Sequence, residues 1–158
     1  MDGIIRGAEP RDLAAIAALA EEKRAWYERF QPTFWRPAAD ARERHTRFLQ
    51  QLVESGRVIA LVHERDGVVD GFVIAQLAPA PPIYDPGGPA CSIEDFWVAG
   101  GTDWEGAGRT LLDEALRQAK ARGAVQSIVI CGHLDQAKRA MLAASGFAIA
   151  SEWYVRDI

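Results

Sequence analysis

The chain has 158 residues, of which 49% are hydrophobic and 25% are charged, and its formal net charge is −4 at pH 7. This length predicts a single domain, 1–158, that can bury one substantial core. The acidic balance argues against general nucleic-acid binding, and no apolar run is long enough to cross a membrane.

Two further features define the class of protein that we expect. The first residues lack a basic region followed by an apolar stretch, so we expect no signal peptide. Cys91 and Cys131 have neither the spacing of a metal site nor that of a disulfide framework, which predicts free thiols and no metal. Together these features predict a cytoplasmic protein.

The first third of the chain predicts one strand followed by two helices. Residues 3–8 are typical of an edge strand, and Pro10 suits the first turn of a helix that runs to about Glu28. An aromatic segment, 26–35, leads to the second helix, which ends at Gly56. Helical spacing predicts the buried faces of these helices: Leu13, Ile16, Ala17 and Ala20 in the first, and Phe48, Leu49, Leu52 and Val53 in the second.

In the middle of the chain, the pattern of apolar residues changes from that of helices to that of strands. Apolar and β-branched residues predict strands at 58–64 and 68–77, joined by a hairpin turn at the Asp66-Gly67 pair. Residues 78–90 contain five prolines and two glycines, which predicts a loop. A further strand is predicted at 91–99.

The last third predicts a helix after Gly108, a strand at 126–131, a helix at 135–145, and a tail, 147–158, that forms one strand or two very short ones. The order is therefore β-α-α-β-β-β-α-β-α-β. This order is typical of a mixed α/β sheet.

Two glycines at the start of the third helix predict an anion site. Gly106 and Gly108 lack a Cβ, so a bound group can approach the backbone, where the first N–H groups of the helix point outward. A dinucleotide fingerprint is excluded because Leu111 stands where its third glycine belongs. A P-loop is excluded because Arg109-Thr110 follows the glycines in place of Lys-Ser or Lys-Thr.

The loop and its surroundings resemble the core motif of the GCN5-related N-acetyltransferases. The positions that match the family's loop are Val98, Gly106, Ala107 and Gly108. A strand at 126–131, a helix at 135–145 and a Gly146-Phe147 pair follow in the family's order. The resemblance implies the acyl-CoA N-acyltransferase fold: a mixed, mostly antiparallel central sheet of six to seven strands, flanked by about four helices.

The resemblance also implies acetyl-CoA as the acyl donor and assigns its contacts. Backbone groups of the strand before the loop bind the pantetheine arm, and the loop binds the diphosphate. The residues implied to bind acetyl-CoA are Phe96, Trp97, Val98, Asp103, Trp104, Glu105, Gly106, Ala107, Gly108, Arg109, Thr110, Asp135 and Lys138.

Several of these positions depart from the family's pattern. Asp103 replaces the family's arginine or glutamine and Glu105 replaces a basic residue, so we expect weaker binding of the diphosphate. Asp135 stands where the family has an asparagine that contacts the pantetheine arm, although its position equally predicts an N-cap. Lys138 is expected either to contact the nucleotide phosphate or to lie on an ordinary solvated helix face.

The resemblance implies direct attack of a primary amine on acetyl-CoA, and Glu94 is the candidate base. The alternatives for proton removal are Asp95 in place of Glu94, or a purely solvated Glu94. Leu142 occupies the position of the family's tyrosine, which protonates the leaving thiolate. Tyr154 on the last strand is the first substitute, with Tyr84, His133 or water as the others.

Alternatives remain for both the activity and the partners. The acceptor is a small-molecule or peptide amine, and the departures above leave open a catalytically degenerate acyl-CoA-binding or sensor domain. A purely structural partner protein is a third reading. Only eleven residues follow Phe147, so either the family's final hairpin is abbreviated or an open sheet edge is covered by a second copy in a homodimer.

Overall fold

The protein is described by a computed structural model that covers residues 3–158, and this part of the chain contains five strands and four helices. The elements are β1 (Ile4–Gly7), α1 (Leu13–Phe30), α2 (Ala41–Ser55), β2 (Ile59–Arg65), β3 (Val68–Ala78), β4 (Ala90–Val98), α3 (Arg109–Ala121), β5 (Gln126–Val129) and α4 (Gln136–Ala144). All nine agree in type and order with the predicted elements.

The strands form one sheet in the order β1-β2-β3-β4-β5. The first three pairings are antiparallel and β4–β5 is parallel, so the predicted mixed, mostly antiparallel sheet with four flanking helices is confirmed. The predicted number of six to seven strands is wrong, because the sheet has five. Residues 147–158, predicted as a strand, have no regular structure and are mostly exposed. Their β-branched and aromatic residues favour a strand, but strand formation also requires a partner edge.

Helices cover both faces of the sheet. Four consecutive residues of β3, Phe72, Val73, Ile74 and Ala75, are at most 3% exposed. Because successive side chains of a strand point to opposite faces, a run of buried residues requires cover on both sides. On α3, Leu111 packs so closely on β3 that a Cβ added at Gly71 would lie 3.0 Å from its Cδ1.

Two turns have the backbone that their residues favour. Asp66 and Gly67 join β2 and β3 with φ of 52° and 78°, the positive values that a tight hairpin turn requires. Gly56 ends α2 with φ of 64°. Both turns are formed at the positions that the sequence predicts.

The strand β4 separates from β5 halfway along its length. The two strands pair from Ala90 to Ile93, and the last contact is the Ile130 N–H donating to the Ile93 carbonyl over 3.0 Å. A register shift against β3 places a bulge at Glu94. Beyond it, residues 94–98 of β4 have no strand beside them on that side in the described part of the chain. We call this opening, between residues 94–98 and residues 130–135, the β4–β5 gap.

Candidate active site

The loop after β4 turns sharply into α3. Gly100 and Gly101 have φ of 68° and 62°, and a Cβ at Gly101 would lie 2.8 Å from the Trp97 ring. Residues 104–108 then form one wide helical turn, in which the Gly108 N–H donates to the Asp103 carbonyl over 3.0 Å. The turn places the start of α3 beside the β4–β5 gap.

An anion already lies against the backbone donors of this turn. The Asp103 carboxylate accepts the Gly106 N–H over 3.1 Å, and Arg65 Nη2 lies 2.7 Å from its other oxygen. The hydrogen bond from Arg65 holds the pKa of Asp103 below its usual range, so this carboxylate is ionised at neutral pH. The helix start therefore binds a negative group of the chain itself.

The two loop glycines leave room beside the backbone, and side chains of the protein itself take up that room. A Cβ on Gly106 would lie 2.3 Å from Asp103 Oδ1, and one on Gly108 would lie 2.7 Å from Trp104 Cε3. The Trp104 ring is buried and Glu105 is exposed. At the predicted anion site, the space beside Gly106 and Gly108 is thus occupied by the side chains of Asp103 and Trp104.

The side chains of Arg109 and Thr110 contact nearby groups of the loop and of α3. Thr110 Oγ1 donates to the carbonyls of Gly106 and Ala107, both at 3.1 Å, and Arg109 lies 3.8 Å from Asp113. The Ala107 side chain is buried. The Ala107 side chain thus belongs to the core, and the Thr110 hydroxyl is bonded to the main chain of the loop.

The side chains of Phe96, Trp97 and Val98, on the β4 side of the gap, are fully buried. The rings of Phe96 and Trp97 lie edge-on to Trp104, with centroids 5.0 and 5.8 Å apart. These side chains belong to the core, and the main chain of the segment has no paired strand on the side of β5. The backbone role that the resemblance implies for this segment stays a prediction.

Lys138 is fully buried, contrary to the expectation of a solvated or phosphate-facing side chain. Its Nζ donates to the carbonyls of Phe96 over 3.2 Å and Ile130 over 3.1 Å, and so bridges the two sides of the gap. The sequence carried a signal for this burial. Lys138 lies three and four residues before Met141 and Leu142, the buried face of α4.

Asp135 caps α4, which confirms the N-cap interpretation. Its Oδ1 accepts the Lys138 backbone N–H over 3.3 Å, and the Tyr27 hydroxyl lies 3.4 Å from its Oδ2. Burial raises the pKa of Asp135, and it raises that of Tyr27 strongly. Asp135 thus lies at the inner end of the gap, beside Lys138.

A charged cluster that the sequence did not reveal surrounds Asp95. His45 Nε2 and Lys23 Nζ lie 3.1 and 3.3 Å from its two oxygens, and Arg24 contacts His45 Nδ1. Burial raises the pKa of Asp95, but the hydrogen bond of His45 and the charge of Lys23 outweigh it, so the pKa falls below its usual range. These partners come from α1 and α2, far from β4 in the sequence.

The two predicted catalytic side chains lie in different places. Glu94 is exposed at the bulge of β4, where its Oε1 accepts from Ser92 Oγ over 3.3 Å. Tyr154 is 90% exposed in the irregular tail, and its hydroxyl donates to Glu152. The predicted last strand that would carry Tyr154 to the site is absent from residues 147–158, and the tail instead packs Trp153 against Phe34.

Residues 3–158 contain no group of three or more His, Cys, Asp or Glu side chains that could hold a metal ion. No helix in this range combines the length and the apolar character needed to cross a membrane.

The chain is similar to known acetyltransferases. The model of the Acetyltransferase (GNAT) family matches residues 17–147. A predicted acetyltransferase from Clostridium acetobutylicum, crystallised with acetyl-CoA, is 16% identical, with 98% of this chain and 96% of that chain covered and a TM-score of 0.76. A GCN5-related N-acetyltransferase from Ralstonia eutropha is 17% identical, with 98% of each chain covered and a TM-score of 0.75.

A ribosomal-protein-alanine N-acetyltransferase from Brucella melitensis is 19% identical, with 99% of each chain covered and a TM-score of 0.65. At these identities the likeness shows a shared fold. No curated protein matches the chain in sequence.

Proposed function

Because the chain belongs to the acetyltransferase (GNAT) family, we propose that it transfers the acetyl group of acetyl-CoA to a primary amine of a small molecule or peptide. The observation that carries this proposal is the β4–β5 gap, which leads directly to a helix start that already binds an anion. A long donor with an amide-containing arm and a diphosphate matches these two features in that order.

The residues of the site fit such a donor. The main chain of Phe96 and Val98, without a neighbouring strand, offers hydrogen bonds to the amide groups of the arm. The Gly106 N–H and the positive end of α3 suit a diphosphate, provided that the Asp103 carboxylate moves away. When bound, acetyl-CoA supplies a thioester, whose carbonyl carbon is open to attack by an amine.

The chain's cysteines support direct attack in a ternary complex. A covalent route needs a reactive thiolate, yet Cys91 is fully buried. Burial also raises the pKa of Cys131 to about 11, which keeps that thiol protonated at neutral pH. Neither cysteine is therefore suited to accept the acetyl group, and the amine attacks the thioester itself.

Glu94 is the proposed base, and it removes the proton of the attacking amine directly or through a water molecule. The neighbouring Asp95 is a poorer base, because a carboxyl whose pKa lies below its usual range binds a proton weakly. Asp95 also already accepts from His45 and Lys23, whereas Glu94 is exposed and free to meet an acceptor.

Thiol release from acetyl-CoA, measured with a panel of polyamines, amino acids, drug-like amines and peptides, tests this function. We expect at least one amine to accelerate release, with an acetylated product of matching mass. Tight acetyl-CoA binding without turnover on any amine would instead support a catalytically degenerate acyl-CoA-binding or sensor domain. Absence of acetyl-CoA binding would contradict both proposals.

Two contacts favour the alternative of a catalytically degenerate acyl-CoA-binding or sensor domain. Two charged side chains of the chain already bond the groups that a donor would use: Asp103 bonds the Gly106 N–H, and Lys138 bonds the Phe96 carbonyl. A ligand must displace or rearrange both contacts. Weak binding is the expected consequence of this competition.

Replacing Asp103 with asparagine is expected to tighten acetyl-CoA binding about two- to fivefold, the size of an exposed charge interaction. The asparagine oxygen keeps the cap on Gly106, while the charge that repels a diphosphate is removed and Arg65 is freed. Titration calorimetry measures the change. Asp85→Asn is the matched control, because Asp85 accepts the Gly87 N–H in an exposed loop; unchanged or weaker binding by Asp103→Asn would contradict the expected repulsion.

We also propose that the protein forms a homodimer through the β5 edge. In the described chain, β5 is the last strand of the sheet, and several apolar side chains near it and in the tail are at least half exposed. They are Val125, Ile128, Ile149, Trp153, Tyr154 and Ile158. Light scattering should give twice the 17.3 kDa mass of one chain, and removal of residues 148–158 should weaken the dimer. A single-chain mass at micromolar concentration would refute this.

A cytoplasmic location is part of the same proposal. Cys91 and Cys131 are both free thiols, which are typical of a reducing compartment. Fractionation of the native cells should find the protein with cytosolic markers, and recovery in a membrane or secreted fraction would contradict this location.

A further inference from the structure

The Lys138 ammonium lies at the centre of the β4–β5 gap with one donor unused. A lysine ammonium has three N–H groups. Two of them donate to the carbonyls of Phe96 and Ile130, and residues 3–158 offer the third no acceptor. The rings of Phe96 and Trp104 lie 5.0 and 5.1 Å from Nζ and stabilise the positive charge. The β4–β5 gap therefore holds an ammonium that can still donate one hydrogen bond.

The charges around Lys138 come from several elements. The carboxylates of Asp135, at the cap of α4, and of Asp95, on β4, favour the charged form, and the Cys131 side chain after β5 lies nearby. Burial is the largest influence and lowers the pKa of Lys138 to about 8, and Lys23 on α1 lowers it further. Near neutral pH the group is therefore mainly charged, yet it gives up its proton more readily than an exposed lysine.

We propose that Lys138 donates the proton that the departing thiolate of the acyl donor takes up. This inference rests on the proposed acetyl transfer. The amine nitrogen forms a bond to the thioester carbonyl carbon, the C–S bond breaks, and sulfur leaves with the electron pair. A proton passes from Lys138 Nζ to sulfur, and the neutral lysine regains a proton from solvent after the thiol departs. Glu94 takes the proton that the amine loses.

Three other side chains that could be considered for this step suit it less well. Leu142, at the position of the family's tyrosine, has no proton to give, and Tyr154 is exposed in the tail. The Tyr27 hydroxyl is directed to Asp135, and burial raises its pKa strongly, so it releases its proton reluctantly. Lys138 alone among these four lies between Phe96 and Ile130.

The test compares Lys138→Met with Lys120→Met. Methionine fills a similar volume without a proton, and Lys120 is an exposed lysine of α3. We expect Lys138→Met to lower kcat about 100-fold, within the range for general acid catalysis, while acetyl-CoA binding persists. Lys120→Met should keep the wild-type kcat.

The pH profile separates proton donation from a structural role. The protonated form is the active one, so wild-type kcat should fall as pH rises through about 8, the pKa of Lys138. Lys138→Met should lose this alkaline limb. The chain has only three lysines, Lys23, Lys120 and Lys138, so NMR of ¹³C-labelled lysine can measure the pKa of Lys138 directly, even if the methionine variant fails to fold.

The outcomes are distinguishable. A Lys138→Met variant with wild-type kcat, or with reduced kcat but an unchanged alkaline limb, would overturn the inference and leave the acetyltransferase function intact. A wild-type alkaline limb that does not coincide with the measured Lys138 pKa would also overturn it. A wild-type protein without turnover on any amine would remove the proposed function, and this inference with it.

Discussion

Glu94→Gln is expected to lower kcat about 100-fold while acetyl-CoA affinity changes less than twofold. Glutamine keeps the size of the side chain but cannot take a proton, and general base catalysis contributes about 10²–10⁴-fold. The lower end applies because Glu94 is exposed, so water can partly replace it. Steady-state thiol release measures kcat, and titration calorimetry measures the affinity.

The control for this variant is Glu54→Gln, the same change at an exposed position of α2. Its kcat should equal that of the wild type. If Glu94→Gln turns over as fast as the control, Glu94 is a solvated carboxylate and the amine loses its proton elsewhere. Equal loss in both variants would indicate a nonspecific charge effect and would also remove Glu94 from the mechanism.

Gly106→Asp is expected to weaken acetyl-CoA binding at least about 100-fold, or about 3 kcal/mol. The new side chain would begin 2.3 Å from Asp103 Oδ1 and add a second carboxylate where the diphosphate is expected. Folding should survive, because the Asp103 carboxylate can rotate away and an acid at a helix N-terminus is itself favourable. Calorimetry with acetyl-CoA measures the loss, and thermal unfolding checks the fold.

Gly7→Asp is the matched control for Gly106→Asp. Gly7 lies on the edge strand β1, and a Cβ there would meet nothing within 4 Å. It adds the same charge without touching the loop, so its affinity should be that of the wild type. Intact binding by Gly106→Asp would show that the start of α3 does not hold the diphosphate.

Most of the fold was predictable because its signals are local. The hairpin at Asp66-Gly67 and the end of α2 at Gly56 follow from residues that tolerate positive φ. The helices follow from apolar residues at helical spacing, which must face a core. The cap of α4 by Asp135 is local for the same reason, since its partner Lys138 is three residues away.

The tail shows where local signals fail. Residues 147–158 contain β-branched and aromatic residues, yet they do not pair with the sheet. Propensity describes how a residue suits a strand, while pairing depends on whether an edge lies within reach. The expected position of Tyr154 depended on that pairing, and its side chain is exposed instead.

The sequence by itself determined the order of the elements, the hairpin and the two glycines that open α3, since each depends on residues within one turn or one repeat. The tertiary structure alone decided the contacts of Asp95 with Lys23 and His45 and the hydrogen bond of Lys138 to Phe96, 42 residues away. A polar side chain on a buried face is stable only if another element supplies its partner. The periodicity of one helix or strand contains no information about that partner.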